Sequence, residues 1–252
     1  MIKRRQYVRL GGAICLLCAT GQLRAQRFPP NGTKSSMPVS PPGCGHAQTD
    51  RTPGARKRLA SSGDRRFDAA VRAEAALLNK IFNVAPAFSF HDDGAVSEAL
   101  ALSDGKQTTI LLGLSLVREL LGQQGWSGHS TIIGVLAHEW AHAYQYAQVP
   151  LEEKRFMMET HADFMAGWYL GIKKSSGVAQ IDPVAFSSSL YKWGYRGAYF
   201  DPNQYGSPER RTAAMRAGFD AGAKQYQVSG IPFVDEAATA GYAFVEKMAR
   251  QK

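Results

Sequence analysis

Cysteine is nearly absent from this chain. It has three in 252 residues, and two of them, Cys15 and Cys18, sit in a short apolar stretch near the N-terminus. If that stretch is removed, Cys44 alone is left. No internal disulfide can then hold the fold, and the lone thiol stays free or pairs with another molecule. Long apolar runs are missing as well. Nothing reaches the roughly 20 consecutive apolar residues that cross a bilayer, so no transmembrane helix is expected in the mature chain. Acidic residues are scarce at one end only: residues 1–66 hold 13 Lys/Arg against 2 Asp/Glu, and residues 67–252 hold 17 against 19. The overall charge of +9 therefore belongs to the N-terminal segment. The near-neutral remainder offers no basic surface of the kind that nucleic-acid binding requires.

The N-terminal segment has two parts. Lys3, Arg4, Arg5 and Arg9 form a basic region, Leu10 to Ala19 a short apolar one, and Leu23-Arg24-Ala25 ends on a small residue before Gln26. This is the pattern of a secretory signal over residues 1–25, and it predicts export to the periplasm or the extracellular space. Residues 26–63 carry Pro29, Pro30, Pro38, Pro41, Pro42 and Pro53 among Gly, Ser and Thr, with few large apolar residues. A stretch of this kind cannot bury enough surface to offset its ordering entropy, so a disordered basic linker is expected. Its Arg56-Lys57-Arg58 tract could touch an anionic envelope surface. Residues 64–252 are then one domain with a sizeable core.

Periodicity places the elements of that domain. Asp64 suits an N-cap, and apolar residues recur at helical spacing from Phe67 to Phe82. Ala87 to His91 reads as a strand. Glu98 to Leu102 and Gln107 to Leu112 flank Ser103-Asp104-Gly105-Lys106, whose Asp-Gly signals a hairpin. A short helix follows over Leu114 to Leu121. The expected fold is α+β, with a small antiparallel sheet beside a mainly helical body.

The chemistry is concentrated in His138-Glu139-Trp140-Ala141-His142. On a helix, residues four apart lie one turn up the same face, so both imidazoles can reach one metal ion. Glu139 is about 100° further round, placed to take a proton from a water beside that ion rather than to bind it. This is the arrangement of a zinc hydrolase. A pair of core histidines beside a surface glutamate is the bland alternative. The helix, expected from about Ser130 to Ala147, is apolar nearly all round and therefore buried. Polar residues within it are costly unless each is paired or ligated.

A second helix is expected from near Leu151, after Gln148-Val149-Pro150, to about Ile172. So short a connection makes the two helices antiparallel neighbours. Measured from the turn, His142 lies about 7.5 Å in and Glu159 about 12 Å in, level to within one turn. Glu159 can then be the third ligand. Four residues further along each helix, Asp163 faces His138 and can accept its free ring N–H, which fixes the tautomer. Glu159 and Asp163 as a merely solvated acidic face is the alternative. His161 lies about 200° round from Glu159, so both cannot face one ion, and a packed position on the far face is expected for it. His129 is expected in a cap or loop ahead of the first helix.

His-Glu-Trp-Ala-His followed by Glu159-Thr160-His161-Ala162-Asp163 resembles the paired H-E-x-x-H and E-x-x-x-D motifs of gluzincin-type zinc metallopeptidases. It is similar in particular to the small bacterial neutral zinc metallopeptidases and the relatives of the CAAX-prenyl protease. The resemblance covers roughly residues 125–220 and implies a zincin-like fold, in which an edge strand of the small sheet can pair with an extended peptide. It implies one Zn2+ per chain on His138, His142 and Glu159, Asp163 behind them, and Glu139 as general base in the hydrolysis of a peptide or protein substrate. Tyr205-Gly206-Ser207-Pro208-Glu209-Arg210-Arg211 also resembles a family motif of a His, a short turn and an Arg. Arg211 matches the arginine, and Tyr205 replaces the histidine. The donor to the reaction's oxyanion is then Arg211, Tyr199 or Tyr205, unless Arg211 instead locks the fold through a carboxylate. The H-x-x-G-x-x-H extension of metzincins is absent, since Gln145 and Gln148 stand there. Two other functions share these residues: a catalytically silent envelope-binding protein, which an intact Glu139 disfavours, and a zinc amidase acting on a non-peptide amide.

Overall fold

The computed structural model describes residues 57–94, 97–122, 126–148, 155–177, 180–195 and 206–250. The expected signal, Cys44, nearly all of the linker, Tyr199 and Tyr205 lie outside the described residues. In chain order the elements are β1 (Arg58–Leu59), α1 (Arg65–Phe82), β2 (Ala87–His91), β3 (Ala99–Ser103), β4 (Thr108–Gly113), α2 (Leu114–Leu121), α3 (Trp126–Gln148), α4 (Arg155–Ser175), α5 (Pro183–Tyr195), α6 (Pro208–Ser229) and α7 (Val234–Arg250). The fold is α+β, mostly helical, with one small sheet.

Local chemistry sets these boundaries. Asp64 caps α1 through its side chain, which accepts from Arg66 N at 2.8 Å and Phe67 N at 3.1 Å. Asn83 ends the helix at φ 54°, a left-handed conformation that asparagine tolerates. Phe67, Val71, Leu78 and Phe82 form the buried stripe of α1. In the β3–β4 hairpin, Asp104 Oδ1 accepts from the backbone N–H of Lys106 and of Gln107, both at 2.8 Å, and Gly105 takes φ +83°.

The sheet is mixed rather than antiparallel throughout. Its order is β1-β2-β4-β3, with β2 and β4 parallel and the other pairs antiparallel. After β2 the chain crosses to the far edge, runs back as β3 and returns through the hairpin as β4, which inserts between them in the direction of β2. The folded part also begins earlier than residue 64. Arg58 pairs with His91 and Leu59 with Phe90, and Leu59 packs on the core.

The helices bury the centre of the molecule. Every residue of α4 from Met158 to Lys173 is buried. The metal-motif helix α3 starts at Trp126, ahead of the expected Ser130, so His129 lies within its first turn. Gly128 lies inside this helix, where a Cβ would stand 2.0 Å from the carbonyl oxygen of Leu120, so only glycine permits the approach to α2. The expected start of the next helix near Leu151 lies outside the described residues, which take up α4 at Arg155. Along α4, Gly167 and Gly171 press against α6, which offers Gly218 and Gly222 in return. Added Cβ atoms at these four positions would meet backbone oxygens at 1.9–2.1 Å. Contacts advance in the same sense along both helices, so α4 and α6 run parallel at backbone contact. None of the described helices is long and apolar enough to cross a membrane.

Candidate metal centre

Helices α3 and α4 bring three ligand-type side chains to one point. The Nε2 atoms of His138 and His142 lie 3.1 Å apart, with the rings edge to face at 87°. Glu159 reaches across from α4, its Oε2 3.5 Å from His138 Nε2 and its Oε1 3.8 Å from His142 Nε2. One potential ligand atom from each residue lies within 4.8 Å of the others, and all three residues are buried. Neither oxygen of Glu159 accepts a hydrogen bond within the described residues. A fully buried carboxylate without donors is expensive, and a cation in front of it removes that cost. The group could therefore hold a metal ion. Glu139, 1 % exposed, shares the helical turn of His138.

The surroundings favour positive charge at this point. His138 Nδ1 lies 3.0 Å from Asp163 Oδ1, an approach bent from the ideal line of a hydrogen bond. Burial opposes a charge on His138, but the carboxylates of Asp163 and Glu159 outweigh it and raise the imidazole to about 10. Burial alone would push Glu159 up. The contact with His138 and the positive field of Arg211 instead hold its carboxyl well below the usual range. In the metal-free protein a proton on His138 supplies the charge that the carboxylates demand, and a metal must displace it.

Arg211 enters from the first turn of α6. Its Nε donates to Asp163 Oδ2 at 2.6 Å and its Nη2 to Oδ1 at 3.0 Å, and Nη2 stands 3.7 Å from Glu159 Oε2. Of its two expected roles, the structure displays the carboxylate lock. Asp163 thus joins Arg211 to His138 as the helix-depth count anticipated.

His161 points elsewhere. Its ring stacks on Tyr242 of α7 at 3.8 Å between centroids, and burial pushes it down to about 4. Sequence reading missed Gln145, whose Oε1 is 2.8 Å from His142 Nδ1. Its spacing three residues beyond His142, on the same helix face, was the available signal.

No family model matches this chain, and neither does any curated protein or solved structure.

Proposed function

We propose that this protein is a zinc-dependent metallopeptidase of the gluzincin type, with a zincin-like arrangement of its helices. The reading is carried by one observation: a buried His138–His142–Glu159 group in which Glu159 accepts no hydrogen bond from the described residues, set on an H-E-x-x-H helix with Glu139 intact. Zinc bonds of about 2.0–2.2 Å in tetrahedral geometry put ligand atoms about 3.3–3.6 Å apart. The two Nε2 atoms lie 3.1 Å apart, and each has a different oxygen of Glu159 nearby, Oε2 at 3.5 Å from His138 and Oε1 at 3.8 Å from His142, which is close to that spacing. Two nitrogens, one carboxylate and an open position form the donor set of catalytic zinc rather than of calcium or magnesium, which take oxygen ligands.

Zinc held there supplies Lewis-acid polarisation and makes a water acidic near neutral pH. The chain's own residues do the rest. Glu139 takes a proton from the attacking water and returns it to the leaving amine. Asp163, held by Arg211, fixes the ring of His138. Arg211 acts through that carboxylate, so an oxyanion donor is to be sought among other residues. The substrate is a peptide or protein met in the periplasm or outside the cell, where the N-terminal signal pattern would deliver the enzyme.

The test is metal content alongside cleavage of an unfolded casein-type substrate. The protein should carry about one zinc per chain. Glu139→Gln should retain it and lose about 10²–10⁴-fold in rate, the usual worth of a general base. Wild-type cleavage by that variant would refute Glu139 as the base, and a protein that takes up no zinc would refute the metal centre.

A further inference from the structure

A buried hydrogen-bond chain leaves His142 and ends on α7. His142 Nδ1 faces Gln145 Oε1 at 2.8 Å; Gln145 Nε2 lies 2.9 Å from the carbonyl oxygen of Met158 and 2.9 Å from His161 Nδ1; His161 Nε2 lies 3.1 Å from the carbonyl oxygen of Ala238. Each group has only one role open to it. A carbonyl accepts and cannot donate, so the Gln145 end near Met158 is the NH2 group and its other end is the oxygen. That oxygen also only accepts, so His142 must carry its proton on Nδ1 and present the lone pair of Nε2. At the far end Ala238 requires the proton of His161 on Nε2, which leaves Nδ1 to accept from Gln145. Gln145 is 1 % exposed and His161 0 %, so water does not compete. His161 is itself held in place: it stacks on Tyr242, and a Cβ at Gly241 would stand 3.0 Å from its Cδ2.

We propose that Gln145 and His161 are positioning residues that hold His142 in the tautomer whose Nε2 faces the metal, and that they tie metal affinity to the seating of α7. The inference rests on the metal centre proposed above and is independent of the reaction. It assigns the orientation of the second histidine of the motif to a neutral amide.

The test uses the full chain and reads two quantities: the protonated nitrogen of His142, from long-range 15N–1H spectra of the metal-free protein, and zinc affinity by chelator competition. Gln145→Met keeps the length and removes every hydrogen bond. It should mix the His142 tautomers and weaken zinc about 10–100-fold, the usual effect of losing such a partner. Gln145→Glu keeps the acceptor and should return to within a few-fold of wild type, a rescue that a merely structural role would not give. His161→Phe keeps the stack on Tyr242 but not the hydrogen bonds. It should fall between wild type and Gln145→Met, because Met158 still holds one amide hydrogen. A folded Gln145→Met with an unchanged tautomer and wild-type affinity overturns the proposal. Should that variant fail to fold, unchanged affinity in His161→Phe does so. A wild-type chain that binds no zinc sinks the metal centre instead, and the tautomer comparison still decides the hydrogen-bond chain.

Discussion

Arg211→Met removes the guanidinium that joins α6 to Asp163 of α4 while keeping much of its apolar stem. In the native protein Asp163 is completely buried and receives two charge-assisted bonds from Arg211, at 2.6 and 3.0 Å. Without them two fully buried carboxylates, Asp163 and Glu159, are left to share one cation, the protonated His138, so one negative charge has no counterpart among the described residues. Breaking a buried ion pair from one side costs about 3–5 kcal/mol, because a charge is left uncompensated. At about 2–4 °C per kcal/mol for a chain of this size, the melting temperature should fall by roughly 6–20 °C. The assay is thermal and urea unfolding of the chelator-treated protein, followed by circular dichroism. A companion variant separates the charge from the packing. In Arg211→Met/Asp163→Asn the stranded charge is gone, so the double variant should be more stable than Arg211→Met alone, with a coupling of about 1–3 kcal/mol. Equal midpoints for wild type and Arg211→Met, or strictly additive effects, would refute the ion pair as what seats α6.

Two further outcomes are expected. Burial holds His161 at about 4 against 6.5 in an unfolded chain, so its contribution to stability is complete above pH 6.5 and is lost as pH falls through 4. Urea midpoints measured at pH 7, 5 and 4 should therefore drop less for His161→Phe than for wild type, and parallel profiles would contradict this. Gly167→Ala would place a Cβ 1.9 Å from the carbonyl oxygen of Met215, backbone that cannot swing away. The strain of overpacking, about 1–3 kcal/mol, should outweigh the gain of up to about 1 kcal/mol from helix propensity. A variant as stable as wild type would show that α4 and α6 can separate at little cost.

Helical geometry is why the grouping of His138, His142 and Glu159 could be anticipated from sequence. A fixed rise per residue let depth be counted from the short connection expected after Gln148, and the count brought Glu159 to the two histidines and Asp163 to His138. The angular step likewise removed His161 from the ligand set. The sheet offered no such ruler. Alternation marks each strand but not its neighbours, so the insertion of β4 between β2 and β3, which makes the sheet mixed, is invisible locally. Gln145 was passed over because an amide has no charge to draw attention. Its importance depends on Met158, His161 and Ala238, whose approach only the tertiary structure reveals.

The acidic and glycine positions of α4 belong to one seam. Glu159, Asp163, Gly167 and Gly171 recur every four residues and so share a face of the helix. On α6 the matching row is Arg211, Met215, Gly218 and Gly222. The glycine half brings the two backbones together with no side chain between them, and that closeness sets how far Arg211 must reach in the acidic half. The start of α6 is fixed as well. Ser207 caps it by accepting from Arg210 N at 3.3 Å, and Pro208 opens its first turn, which fixes Arg211 at one height along the seam. Ordinary side-chain packing could absorb an ångström of slippage by changing rotamers. Backbone against backbone cannot, and an ångström added to bonds of 2.6 and 3.0 Å would abolish them. The chain thus holds two fully buried carboxylates, those of Asp163 and Glu159, on the same seam as a backbone-to-backbone contact between helices.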